Sequence, residues 1–141
     1  MPEGKVFLDT NIIIYAFDIT AGDKHNAAGE LMIILWDSGL GVISTQVLQE
    51  FFVNVTQKIP EPLDIGSAKE IVNDLLKWEV VVNDGETILN AIELHEKYKY
   101  SFWDSMIIEA AIKGRCATLL SEDLTDRQTI EGVTIQNPFT I

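Results

Sequence analysis

Lys5-Val-Phe-Leu-Asp-Thr-Asn-Ile-Ile-Ile-Tyr-Ala-Phe17 decides the architecture, because three kinds of residue meet within it. Val6, Phe7 and Leu8 form a short apolar run, the pattern of a strand buried on both faces. Asp9, Thr10 and Asn11 follow at once, and all three are helix-capping types. Ile12 to Phe17 then opens a short helix. A strand that passes through a cap directly into a helix is a building unit of α/β folds. In such folds the ligand crevice lies at the carboxyl ends of the parallel strands, which is where Asp9 would stand.

The rest of the chain repeats the alternation. A helix is predicted from about Asp23 to Trp36, ended by Ser38-Gly39. Gly41-Val-Ile-Ser44 reads as a second strand. Thr45 caps a helix with Val47, Leu48, Phe51, Phe52 and Val55 at helical spacing, and Pro60-Glu-Pro62 breaks it. Another helix covers about Ser67 to Lys77, and Glu79-Val-Val-Val82 is a third strand. Asp84 caps a helix from Glu86 to Lys99. Ser101 caps one from Phe102 to Lys113, which Gly114 closes. Ala117-Thr-Leu-Leu120 is a fourth strand and Val133-Thr-Ile135 a fifth. The expectation is an α/β fold: a central, mostly parallel sheet of four to five strands flanked by helices, in a single domain over 1–141.

Composition bounds the function. The chain has 141 residues, 47% of them hydrophobic, enough for a sizeable core. No apolar run reaches the length of a membrane span, and the first residues lack a secretory pattern. One cysteine, Cys116, offers no internal disulfide. These features point to a reduced, cytoplasmic setting without a membrane partner. The net charge is −12. Lys97, Lys99, Lys113, Arg115 and Arg127 hold half of the basic residues, in the last third of the chain, where they would form either a basic rim or an ordinary solvated surface. The acidity suits attraction of divalent cations or of a basic protein.

Four carboxylates stand where a core would rather have none. Asp9 directly follows the first strand, and Asp123 comes shortly after the fourth. Asp104 shares a helical stripe with Ile107, Ile108 and Ala111, and Glu50 flanks the apolar face of its own helix. A buried carboxylate must be protonated, paired or metal-bound. Only two arginines, Arg115 and Arg127, are present to pair with such groups. A divalent ion would neutralise all four together, and hard oxygen ligands select Mg²⁺ or Mn²⁺ over Zn²⁺. Each position also has a plainer reading. Asp9 is an N-cap type, Asp104 completes a capping-box pattern with Ser101, Glu50 fits a solvated helix flank, and Asp123 fits a turn. One shared ion accounts for all four placements at once.

Other chemistries find less support. His25 and His95 stand alone, without zinc-type spacing. No phosphate-binding glycine loop and no nucleophile elbow is present. Trp36, Trp78, Trp103 and Phe102 read as core or interface residues rather than as platforms for nucleobases.

At these same residues the sequence resembles the PIN-domain ribonucleases, including toxins of the VapBC type. Val6-Phe-Leu-Asp-Thr-Asn-Ile-Ile-Ile-Tyr15 is similar to the family's opening strand and first acidic residue. Gln46-Val-Leu-Gln-Glu-Phe-Phe52, Tyr100-Ser-Phe-Trp-Asp-Ser-Met-Ile-Ile-Glu-Ala110 and Leu119-Leu-Ser-Glu-Asp-Leu124 resemble the second, third and fourth motifs. Gly132-Val-Thr-Ile-Gln-Asn-Pro-Phe139 resembles the closing strand of one subgroup. The resemblance implies that Asp9, Glu50, Asp104 and Asp123 are catalytic, metal-binding carboxylates, supported by Thr10, Asn11 and Ser121. Asp123 is preferred to Glu122 and Asp126 because it lies two residues past Ser121. Asp126-Arg127 departs from the pattern, since subgroup members often have a glycine there.

The resemblance further implies a Mg²⁺- or Mn²⁺-dependent endoribonuclease that hydrolyses RNA in line, leaving a 5′-phosphate and a 3′-hydroxyl. It implies a basic antitoxin as partner and a homodimer. Asp23 to Trp36 is a helix with room for a second apolar face. Two rival readings are a catalytically inactive PIN scaffold and a receiver-like phosphorelay module. The second would need an acidic pair after the first strand, which Val6 to Asn11 does not supply.

Overall fold

A computed structural model describes residues 4–140. The elements run β1 (Val6–Leu8), α1 (Thr10–Phe17), α2 (Asp23–Ser38), β2 (Gly41–Ser44), α3 (Thr45–Gln57), α4 (Ile65–Leu75), β3 (Glu79–Val81), α5 (Gly85–Tyr98), α6 (Phe102–Lys113), β4 (Thr118–Leu120), β5 (Thr129–Ile130) and β6 (Val133–Gln136). All three residues of β1 are buried, as a strand covered on both faces should be. It pairs in parallel with β2 on one side and with β4 on the other. The full order is β3-β2-β1-β4-β6-β5, parallel throughout except for the β5–β6 pair.

The expected α/β architecture with a mostly parallel sheet is what the chain adopts, with one more strand than the predicted four to five. The addition is β5, two residues joined to β6 by a tight turn in which Glu131 and Gly132 both take positive φ (48° and 87°). That backbone belongs to two-residue hairpins, whose usual dipeptides are Asn-Gly or Asp-Gly. Glu131-Gly132 carries only half of the signal.

Caps fix the helices that matter for the site. Asp9 caps α1, accepting from the Thr10 amide. Ser44, not Thr45, caps α3. Asp84 and Ser101 cap α5 and α6 as expected. The helix predicted from Ser67 starts at Ile65 instead, because Asp64 takes the cap and accepts from the Ser67 amide at 2.8 Å. Gly39 ends α2 in the left-handed conformation, at φ 70°. Arg127 holds a similar backbone, φ 69°, at the place where the resemblance expects a glycine nearby.

The core is built from Phe7, Leu8, Ile43 and Leu119 on the strands and Ile12 and Phe51 on the helices. Gly41 is dictated by packing: a Cβ there would lie 2.4 Å from the Trp78 ring, closer than any side chain can approach. Trp78 in turn packs on Trp36, with ring centroids 5.9 Å apart.

Candidate active site

The chain leaves β1 toward β2 and β3, then returns to the opposite side of β1 through β4. This reversal opens a crevice at the carboxyl ends of β1 and β4, the usual ligand position in open α/β sheets. The Asp9 amide donates to the Leu120 carbonyl at 3.0 Å and locks the two strand ends together. A cavity of about 200 Å³ lies there, lined by Asp9, Thr10, Asn11, Glu50, Asp104 and Asp123, with Gln46, Asn54 and Trp103 among the other walls. All four carboxylates singled out in the sequence border this one cavity.

Neutral donors hold three of these acids. The Ser121 hydroxyl donates to Asp9 Oδ2 at 2.8 Å, and the Thr10 amide donates to Oδ1 at 2.7 Å. The Thr10 hydroxyl donates to Glu50 Oε1 at 2.6 Å, and the Asn11 amide nitrogen donates to Asp123 Oδ2 at 2.9 Å. Ser121 Oγ also accepts from the Asp123 amide at 3.2 Å, which fixes the loop after β4. Thr10, Asn11 and Ser121 are thus direct partners of the carboxylates. The capping-box reading of Asp104 is half met: its amide donates to Ser101 Oγ at 3.1 Å, while its own carboxylate faces the cavity.

Glu122 and Asp126, the neighbours of Asp123, turn elsewhere. Tyr15 Oη donates to Glu122 Oε1 at 2.6 Å, and Lys24 pairs with the other oxygen. Burial would raise the Glu122 pKa, but the Lys24 and Tyr15 contacts outweigh it and hold it low. Asp126 accepts from the Asn137 amide at 2.9 Å.

Electrostatics follow from this geometry. Asp9 is 7% exposed. Burial pushes its pKa up to about 6, against the bonds from Ser121 and Thr10, and the nearby Asp123 and Asp104 charges add to the rise. The pKa of Asp123 is also raised, by burial first and then by Glu122 and Asp104. Burial alone does not mark the site, since Glu109 on α6 is buried too. Its pKa rises, chiefly through desolvation, yet it lies on another cavity and accepts from Asn90 at 3.3 Å.

Among the described residues no three His, Cys, Asp or Glu side chains stand in ligating arrangement around one point. The acids share the cavity without converging. The donor chemistry nevertheless fits a hard ion that keeps much of its water, since Mg²⁺ is commonly bound through one or two protein carboxylates. Two further oxygens at the cavity, Asn11 Oδ1 and Gln46 Oε1, are buried without a hydrogen-bond partner. Among the described residues no Lys or Arg lines it. Three of the five basic residues in the last third of the chain are tied up elsewhere: Lys97 with Glu131, Lys113 with Asp84, and Arg127 with Asp126.

Gln46 was not singled out from sequence as a site residue. It is buried, and its amide nitrogen donates to the Trp103 carbonyl at 3.3 Å, linking the start of α3 to the start of α6. Trp103 is not a core residue: it is 63% exposed and stands on the lip of the cavity.

The PIN domain family profile matches residues 6–126. The chain belongs to the PIN-domain family. Members of this family are generally nucleases. Comparison with curated proteins returned no match. Solved structures share the PIN fold. A toxin–antitoxin complex from Klebsiella pneumoniae aligns with TM-score 0.70 and 19% identity over 97% of this chain and 100% of that one. VapC20 of Mycobacterium tuberculosis, a sarcin-ricin-loop-cleaving toxin, aligns with TM-score 0.59 and 18% identity over 82% and 87%. VapBC2 of Rickettsia felis, bound to a promoter DNA fragment, aligns with TM-score 0.64 and 19% identity over 94% and 97%.

Proposed function

We propose that residues 1–141 form a single metal-dependent endoribonuclease domain, the toxin of a toxin–antitoxin pair, acting in the cytoplasm. The observation that carries this reading is one cavity at the β1–β4 crevice bordered by Asp9, Glu50, Asp104 and Asp123, in a PIN-domain chain. Asp9 and Asp104 would be the principal ligands of Mg²⁺ or Mn²⁺. Glu50 and Asp123 would act through water. A divalent ion there supplies Lewis acidity toward a phosphoryl oxygen and lowers the pKa of a bound water. The chain's own part is orientation: Ser121 and the Thr10 amide aim Asp9, the Thr10 hydroxyl aims Glu50, and Asn11 aims Asp123.

The test is RNA cleavage by wild type, Asp9→Asn and Asp104→Asn in Mg²⁺ or Mn²⁺, with circular dichroism on each and sequencing of RNA 5′ ends. Each variant should keep its fold and lose at least about 100-fold in rate, since even supporting partners in metal sites cost 10–100-fold. Full cleavage by both variants overturns the mechanism. A folded wild type that never cleaves RNA turns the protein into an inactive scaffold.

A cavity with four acids and no basic side chain suits an arginine-bearing antitoxin segment. Two structures of toxin–antitoxin assemblies and one of a toxin share the fold, at identities that speak for fold alone. A small basic protein co-purifying from native extracts is the expected result. Homodimerisation belongs to the same reading and is supported by α2, which leaves Ile33, Ile34 and Trp36 exposed. Light scattering should give twice the chain mass, and a monomer would remove this part of the proposal.

A further inference from the structure

RNA reaches this cavity against its charge. The walls carry four acids and no base, and six of the ten basic residues are engaged in ion pairs. Phosphate neutralisation, the usual source of nucleic-acid affinity, is therefore scarce at the site. Sequence-tolerant affinity has another source, the stacking of an unpaired base on an aromatic ring. One ring is placed for it. Trp103 sits next to Asp104 on the lip of the cavity and is 63% exposed, so one face of a large π-system is open to a ligand beside the acids.

One contact touches the indole and another the backbone that carries it. Phe102 meets it edge to face, with centroids 5.2 Å apart and planes at 72°. Gln46 reaches across from α3 and binds the Trp103 carbonyl from a buried position. Contacts that restrict the ring beforehand lower the cost of ordering it when a base lands on it.

We propose that the Trp103 indole is a stacking platform for a nucleobase flanking the scissile phosphate, so that the substrate presents an unpaired base there. Gln46 is its positioning residue. This rests on the nuclease reading for the identity of the scissile bond. A single-stranded segment or loop can offer such a base, whereas a continuous duplex keeps its bases stacked on one another.

Two measurements test it. In the first, tryptophan fluorescence of the cleavage-defective Asp9→Asn protein is followed in Mg²⁺ during addition of a single-stranded oligoribonucleotide, its abasic counterpart, or its duplex. Quenching is expected with the single strand alone, and it should vanish in Asp9→Asn/Trp103→Phe. Equal quenching by the abasic strand overturns the proposal.

In the second, Trp103→Ala should raise KM for single-stranded RNA about 10-fold, and Trp103→Phe should recover part of that loss. Gln46→Ala should raise KM, and should add nothing to the KM rise of Trp103→Ala, as expected for residues acting as one unit. Unchanged KM and kcat in Trp103→Ala, beside an active wild type, overturn the proposal. So does a defect confined to binding a protein partner. Absence of cleavage by wild type with the quenching intact sinks the nuclease reading and leaves the stacking platform standing.

Discussion

Asp9 is the residue at which stability and charge conflict. Its carboxyl takes bonds from Ser121 and Thr10 yet titrates near 6, because those bonds do not offset burial beside Asp104 and Asp123. Its folded pKa lies above the ordinary 3.8. The metal-free protein therefore has its full stability at low pH for this group and loses stability as pH rises from about 4 through about 6. The loss at neutral pH is up to about 3 kcal/mol, from a shift of roughly two units. Mg²⁺ should give it back. The expected outcome is a larger rise in Tm on adding Mg²⁺ at pH 7.5 than at pH 5. Asp9→Asn should melt above the metal-free wild type at pH 7.5 and respond little to Mg²⁺. A Tm independent of pH over that window would contradict the conflict.

Elements carry these residues to the site, and their caps and close contacts were unevenly legible. Asp84, Ser101 and Gly39 are legible as helix ends, because each is a strong signal beside a clear helical pattern. The start of α4 was missed: exposed Ile65 breaks the amphipathic pattern, so Asp64 did not stand out as the cap. Strand β5 was missed because two residues have no period, and their pairing with β6 exists only in three dimensions. The four acids could be picked out, but not their partners. Nothing local in Thr10 or Asn11 says that one will meet Glu50 and the other Asp123, and Thr10, Asn11 and Ser121 were named through family resemblance alone. The exposure of Trp103 is not legible because its helix has no clear polar face, so pattern cannot tell the bare position from the buried ones. At Gly41 the Trp78 ring lies so close to the backbone that a Cβ would meet it at 2.4 Å. Gly41→Ala should therefore cost about 1–3 kcal/mol in urea unfolding and shift tryptophan emission, as the ring gives way. A neutral result would mean that the Trp36–Trp78 pair moves freely.

On the scale of the whole molecule the dominant fact is a net charge of −12 in a chain that would handle a polyanion. A basic nucleic-acid binder releases counterions, and its affinity falls steeply with salt. On the nuclease reading that release would be small here, while monovalent salt would screen the repulsion between protein and RNA. KM for a short oligoribonucleotide at fixed Mg²⁺ should stay level or fall between 50 and 200 mM KCl, as initial rates would show. A tenfold rise would demonstrate a basic track along the surface.

The order β3-β2-β1-β4-β6-β5 has a consequence in time as well as in space. Val6 pairs with Gly41 across a modest loop but with Thr118 across most of the chain. The entropy of closing the longer loop is spent before its contacts form, so the β1–β2 half of the sheet has the earlier start. Until β4 docks, Asp9 has no Ser121 and the crevice has no Asp123. Catalytic competence would then be the last property a refolding chain regains, appearing after helical circular dichroism has already recovered.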